Sequence, residues 1–412
     1  MLERVGPKGQ LRVALEALSS LVHPLRGPLH GVEVVGRADG IDITAVAWIT
    51  RDDGSLHRAV GRGKGAGPAQ LVGALGECLE RVTFFSDAPD TDPLPASMLV
   101  GEVIDPREMG LFRREQYRTR AVSWQPYAAK QPIPWRRADD LASGSAVWIM
   151  HEAGRGGAPL CRGTTSGWAV HVDRSSAQLG GLLELVERDA MLAAWYGLTM
   201  PRRRPVPRSA LAESLEARGL ALHIARLSHE TSVPVAIAVA EGVREGVLAV
   251  GGCASSCAAA STLDDAIHTA LRGLVQKIEL LAPLPADTRT RAAAQLAMPG
   301  DHLRYYLDPR HGHTLRTFVD GPCDDIEPEP LDGLDDLVAR LVGAGYRVLA
   351  VDATPAVARA VGLHVVRAVV PGLLPLAFGP LAQARLGGLN ARARRLGWAR
   401  APRLVRTDPI PD

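Results

Sequence analysis

Two stretches of the chain place two acids and a base at one spacing: Gly73-Ala-Leu-Gly-Glu77-Cys-Leu-Glu80-Arg81 and Gly180-Gly-Leu-Leu-Glu184-Leu-Val-Glu187-Arg188. Residues three or four apart on a helix share a face, so each glutamate pair points one way with its arginine alongside. The settings are apolar. From Leu71 to Phe85 the only charges are Glu77, Glu80 and Arg81, and from Leu179 to Tyr196 they are Glu184, Glu187, Arg188 and Asp189. Such charges are costly to bury unless they are paired or bound to a cation. One reading is a solvated helix face with i,i+4 pairs, Glu77 with Arg81 and Glu184 with Arg188. The other is a metal–nucleotide site, because carboxylates from two helices plus phosphate oxygens satisfy magnesium.

A third stretch, Thr269-Ala-Leu-Arg-Gly273-Leu-Val-Gln276-Lys277, carries a weak echo of the same pattern. Each of the three has a leucine two places before the key position and an oxygen-bearing side chain three places after it. The echo points to three helices approaching a shared centre. Before the first helix, Gly61-Arg-Gly-Lys64-Gly-Ala-Gly67 offers flexible backbone donors and one of only four lysines. A helix N-terminus with free N–H groups favours anions. A plain strand–helix turn explains the loop equally well, and the Walker A spacing is absent.

The elements that must position these residues alternate in type. Strand-like runs span Gly31–Val35, Ile41–Ile49 and Leu56–Gly61, with a turn at Asp52–Gly54. A helix is expected from about Ala69 to Phe85, a strand at Ser145–Met150 and a long helix at Ser175–Tyr196. Pro234–Ala240 and Gly246–Gly252 read as a hairpin, followed by a helix from Thr262 to Leu281. A helix at Leu334–Val342 and strands at Tyr346–Val351 and Leu363–Val370 complete the pattern. Asp87–Pro95 and Pro201–Ser209 read as proline-rich loops. Sheets with long helices packed on them make an α+β protein.

Composition removes several function classes. Forty-seven basic against 45 acidic residues leave a formal charge of +2, which argues against a nucleic-acid binder working through bulk charge. No apolar run reaches membrane-spanning length and no secretory signal opens the chain, so a cytoplasmic protein is expected. Five cysteines form no C-x-x-C pair and read as small buried thiols in a reducing compartment. His311 and His313 lack acidic or thiol neighbours at ligand spacing and read as a surface loop. His171 reads as structural. Asp189 reads as a buried partner that could orient Arg188. No G-x-S-x-G element is present.

Taken in order, these residues resemble the YcaO family. The similarity lies in Gly63-Lys64-Gly65, in Leu75–Arg81, in Ser166-Gly167-Trp168-Ala169 and in Leu183–Ala190. It continues through Ala270-Leu271 with Gln276 and Val370-Pro371-Gly372-Leu373 with Pro375-Leu376, covering about residues 55 to 395. The expected organisation is an N-terminal strand region at 1–54, a YcaO core at 55–395 and a C-terminal tail at 396–412. The resemblance implies a YcaO-type fold, with mixed and antiparallel sheets and long helices packed around an ATP site without a P-loop. Carried over by position, Glu77, Glu80, Glu184 and Glu187 would hold magnesium ions. Lys64, Arg81 and Arg188 would neutralise phosphate charge, Gln276 would lie near the nucleotide, and Ser166 stands where the family often has asparagine.

The implied activity is ATP- and magnesium-dependent O-phosphorylation of a backbone amide in a ribosomally made precursor peptide. An azoline or a macrocyclic amidine would follow, as in stand-alone members of bottromycin-type pathways. Thioamide formation with a sulfur donor, or a non-catalytic peptide- or partner-binding role, are the alternatives. Implied partners are the precursor peptide, a separate leader-peptide-binding or sulfur-donor protein, and a second copy in a homodimer. Three positions depart from the family pattern: Gly73 replaces a serine, Gly273 replaces a glutamate, and Asp408-Pro409-Ile410-Pro411-Asp412 is a fragment of an alternating-proline tail.

Overall fold

The computed structural model describes residues 7–24, 27–37, 40–50, 56–62, 67–119, 122–152, 160–281, 296, 299–323, 326–399 and 409–411. In chain order these form α1 (Pro7–Ser20), β1 (Gly31–Arg37), β2 (Gly40–Thr50), β3 (Leu56–Arg62) and α2 (Pro68–Ser86). Next come β4 (Glu102–Val103), α3 (Arg114–Arg118), β5 (Trp135–Asp140), β6 (Ala146–Met150), β7 (Trp168–His171) and α4 (Arg174–Trp195). They are followed by β8 (Arg202–Arg204), α5 (Ala210–Ala217), β9 (Leu220–Leu227), β10 (Val235–Gly242), β11 (Cys253–Ala259) and α6 (Leu263–Leu281). The rest are α7 (Pro299–Leu307), α8 (Pro309–Phe318), α9 (Gly333–Gly343), β12 (Leu349–Asp352), α10 (Ala356–Ala360), β13 (His364–Val369) and α11 (Leu389–Arg395). The chain is a mixed helix-and-sheet protein, as its residues lead one to expect. It divides into two units: residues 1–106, 127–182 and 345–371 form one, and residues 107–126, 183–344 and 372–412 the other.

The first unit holds two sheets. β1, β2 and β3 form an antiparallel meander whose inner face carries small residues, Ala45, Ala47 and Ala59, all buried. Small side chains let a helix come close, and α2 covers this face with Ala74, Leu75, Cys78 and Leu79. At Gly61 the approach is so tight that a Cβ would sit 2.0 Å from the Ala74 carbonyl oxygen, so only glycine fits. The second sheet has strand order β4-β6-β5-β12-β13-β7, antiparallel except for β4 with β6. Gly181 on α4 plays a similar part there, because a Cβ would lie 2.4 Å from the Gly167 carbonyl oxygen.

The second unit is built on the antiparallel sheet β11-β10-β9-β8. Leu220, Leu222 and Ile224 alternate onto the face that α5 and α6 cover, meeting Leu215, Ile267, Leu271 and Leu274. The expected hairpin is corrected here. Pro234–Ala240 falls in β10, but its partners are β9 and β11, and Gly246–Gly252 is irregular backbone. The small-residue run from Cys253 to Ala259 supplies the strand instead, pairing antiparallel with β10. Pro201–Ser209, expected as a loop, contains β8. His311 and His313, also expected in a loop, lie on α8, where His311 stacks on Tyr305 at 3.9 Å between ring centroids. The turn Asp52–Gly54 lies outside the described residues.

One cluster in this unit takes charge fully out of water. Asp189 on α4 is completely buried, and its Oδ1 accepts the backbone N–H of Leu374 at 2.7 Å. Its Oδ2 accepts from Arg392 Nε on α11 at 2.8 Å and faces His229 Nε2 at 3.2 Å. Arg392, itself fully buried, also reaches Glu230 at 2.5 Å. Asp189 is thus the buried partner expected of it, but for Arg392 and not for Arg188. Burial by itself would raise the carboxyl's pKa; the Arg392 guanidinium and His229 outweigh it and hold the group at about 2. Folding therefore gains from this carboxylate above its unfolded value of 3.8, and the gain is lost as pH falls towards about 2. Removing one member of a buried pair strands the other, so Arg392→Met should lower stability by about 3–5 kcal/mol in urea titrations at neutral pH. Adding Asp189→Asn to it should recover part of that loss, whereas simple additivity would show that the two do not act together.

Candidate functional site

In the first unit the sequence-predicted acids lie together with donors that hold them. Glu77 Oε2 accepts the backbone N–H of Arg62, at the end of β3, at 2.6 Å. Its other oxygen accepts from Arg81 Nη2 at 2.5 Å, the expected i,i+4 pair. Glu80 Oε1 accepts the backbone N–H of Val170 on β7 at 3.0 Å. These carboxylates are neither sealed nor free: the Glu77 and Arg81 side chains are 35% and 38% exposed. The geometry is that of an ion pair on the helix and, at the same time, of an acid oriented by backbone donors. The tight passage at Gly61 is what delivers the Arg62 N–H to Glu77. Lys64 and the surrounding glycines, residues 63–66, lie outside the described residues.

Ser166 sits in the turn before β7, where its Oγ accepts from Thr164 Oγ1 at 2.9 Å. The turn is anchored from below. Gly163 passes the Glu152 carbonyl so closely that a Cβ would sit 1.7 Å from it, and Cys161 Sγ donates to Glu152 Oε1 at 3.2 Å. Glu152 in turn is ion-paired with Arg367 on β13. His171 is structural, as expected: its Nδ1 accepts the backbone N–H of Asp173 at 3.0 Å.

In the second unit Glu184 pairs with Arg188 at 2.8 Å, with the two side chains about a third and a fifth exposed. Glu187 is half-buried one turn along. The Cys257 thiol on β11 feels the charges of both Glu187 and Lys277 of α6. Burial pushes that thiol well above its usual value, Glu187 adds to the rise and Lys277 opposes it. Gln276 is half-buried beside Lys277 on α6. Gly273 packs closely on β11: a Cβ there would lie 2.3 Å from Ser256 Oγ, so a side chain at this point requires that hydroxyl to turn away.

A model of the family described as "YcaO cyclodehydratase, ATP- and Mg2+-binding" matches residues 62–374. The chain belongs to the YcaO family. ATP and Mg2+ are the cofactors of this family. No curated protein matches the chain. Solved structures share its fold. A heterocyclase solved in complex with substrate and cofactor is 19% identical at TM-score 0.69, over 88% of this chain and 52% of its own. The YcaO protein of Methanopyrus kandleri, solved with AMPPCP and Mg2+, is 20% identical at TM-score 0.61, over 89% of this chain and 91% of its own. The E. coli microcin synthetase McbBCD complex is 13% identical at TM-score 0.59, over 83% and 87%. The present YcaO chain spans about half the length of the heterocyclase.

The donor set fits the family's cofactors. Half-buried carboxylates in pairs, each with an arginine four residues on or at its side, suit oxygen-seeking cations and the phosphates they carry. Arg62 Nε is buried and meets no hydrogen-bond acceptor among the described residues, so a cationic group beside Glu77 is left with a bond to make. A different cluster does not fit a metal. Asp189, His229 and Glu230 bring ligand-type atoms within 4.8 Å of one another, but the Arg392 guanidinium already lies between the two carboxylates as their cation. Sequence reasoning missed the role of the Arg62 and Val170 backbone groups, which carry no side-chain signal. Gly61→Ala should lower stability by about 1–3 kcal/mol, since the added methyl must displace α2 backbone. A variant with the parental denaturation midpoint would show that β3 does not close on α2.

Proposed function

We propose that this protein activates a backbone amide of a ribosomally made peptide by ATP- and magnesium-dependent O-phosphorylation, followed by attack from within the same peptide to give an azoline or a macrocyclic amidine. The observation that carries the reading is the twofold occurrence of half-buried acid pairs on α2 and α4, each tied to its own arginine. Bound ATP with Mg2+ supplies the phosphoryl group that turns an amide oxygen into a leaving group. The residues that would hold magnesium are Glu77 and Glu80 on α2 and Glu184 and Glu187 on α4. Arg81, Arg188 and Lys64 neutralise phosphate charge, which is where stabilisation is needed as the phosphoryl group moves. Gln276 and Ser166 contribute polar contacts to the nucleotide. The backbone donors on Glu77 and Glu80 orient those carboxylates in advance, so little ordering is left for binding.

The azoline or amidine outcome needs only a side chain or terminal amine of the substrate as nucleophile. Thioamide formation needs a sulfur donor as partner. We place the reaction in the reducing cytoplasm, consistent with five unpaired cysteines. Among the described residues no helix is long and apolar enough to cross a membrane. The apolar stretch of α4, which suggested a homodimer, is buried within the single chain from Ala190 to Tyr196 and so makes no separate demand for a second copy.

The test is a nucleotide titration by calorimetry with magnesium present. Binding is expected; its absence at millimolar ATP leaves only the peptide-binding alternative that Gly273 favours. Glu187→Gln should fold normally and release no magnesium-dependent phosphate, and parental turnover would remove Glu187 from the metal site. The mass of a precursor peptide after incubation should fall by one water. A gain that matches exchange of oxygen for sulfur would replace cyclisation by thioamidation.

A further inference from the structure

The second unit contains a cavity of about 340 Å³ that shares no residue with the acid pairs. It lies at the β8 edge of the sheet. Arg203 and Arg204 give it a cationic wall, while Val206, Leu222 and Ile224 give it an apolar one; His223, which burial holds towards the neutral form, faces Glu241 at 3.2 Å. Cys323 completes the lining, and it is the exposed member of the five cysteines. The wall is fixed in place by backbone. Gly321 passes so near Pro201 that a Cβ would sit 1.9 Å from its carbonyl oxygen, and the Arg203 N–H donates to the Pro322 carbonyl at 3.0 Å. Arg203 Nη2 lies 3.2 Å from Cys323 Sγ.

Among the described residues, the carboxylates that meet the two lining arginines, Asp320 and Glu327, are about half exposed or more. Three arginines follow one another on β8, and Arg202 stands directly opposite Arg226 of β9 in the sheet register. Like charges facing each other across strands are unfavourable. Arg202 has no ion pair among the described residues. Arg203 reaches Asp320 only at 3.5 Å between two side chains that are each about half exposed, an arrangement of little strength that a better-placed anion can replace. Arg204 is paired with Glu327, whose carboxylate is mostly exposed.

The geometry points to a binding site for a carboxylate carried on a short aliphatic body. A guanidinium binds a carboxylate through two parallel hydrogen bonds, and the adjoining apolar wall accepts the hydrocarbon. The volume lies near the lower end of the range for ligand cavities of about 300–1,000 Å³, so the occupant is small. Two sources present this chemistry: a free aliphatic acid, and an acidic side chain next to an aliphatic residue in a peptide. The site stands whether or not the nucleotide reading does.

Cys323 makes the site testable without a tag. The full-length protein is treated with iodoacetamide, and alkylation of Cys323 is followed by peptide mass mapping. Hexanoate should slow that labelling saturably, by about tenfold at roughly ten times its Kd, at constant ionic strength. Hexanamide, the uncharged isostere, should not. The double variant R203Q/R204Q should lose the difference between acid and amide while binding ATP with magnesium like the parent, and R203K should retain part of it. Acetyl-Glu-Leu-amide protecting at lower concentration than hexanoate assigns the site to peptide; the reverse order assigns it to a free acid. Equal protection by acid and amide, protection that only follows ionic strength, or no protection overturns the proposal. Should neither protein bind ATP while protection persists, the nucleotide reading fails and the cleft remains.

Discussion

A carboxylate moved partly out of water must be met by hydrogen-bond donors or by a cation, because the interior does not replace the lost hydration on its own. Most of what distinguishes this chain follows from how it meets that demand. Glu77 and Glu80 each accept a backbone N–H, and Glu77 also pairs with Arg81, on a face that is partly buried. Asp189 is met completely, by Arg392, His229 and the Leu374 N–H, and has nothing left to offer a ligand. The contrast is between carboxylates on a partly open face and one sealed in the core. Both kinds stand within a few residues of each other on α4, at Glu187 and Asp189.

The long helices were legible from their residues because an apolar run interrupted by acids at three-residue spacing gathers its charges on one side only when it is helical. The meander was legible for a similar reason, as strand-like runs alternate with turns between Gly31 and Gly61. What failed to show was set by distant partners. β11 reads Cys-Ala-Ser-Ser-Cys-Ala-Ala and has no hydrophobic alternation to mark it, although Ser256 packs against α6 at Gly273. β8 is three arginines, a poor strand by composition, and it forms because β9 on one side and residues 322–323 on the other complete its bonds. The helix α8 hid behind Pro309 and Gly312, although the proline occupies the first turn, where it costs nothing.

The site was legible in its side chains and illegible in its backbone. Glutamates and arginines announce themselves by type and spacing. The N–H groups of Arg62 and Val170 that orient two of those glutamates belong to residues chosen by strand geometry, and any residue type but proline would present the same donor. The cysteines divide along the same line. Burial lifts the thiols of Cys78 and Cys253 to about 12, so they serve as packing, while Cys323 is exposed.

Gly61 does no chemistry, yet it governs how this protein can vary over generations. Every single-base change in a glycine codon that alters the residue and keeps the chain intact introduces a side chain, and at this position every side chain meets the backbone of Ala74 and Cys78. No neighbouring substitution can make room, because the obstacle is main chain and has the same shape whatever residues stand there. Lineages can therefore exchange the residues around an acid such as Glu77 gradually, but can alter position 61 only by moving a whole helix. Heritable constraint thus falls heavily on a residue that has no side chain of its own.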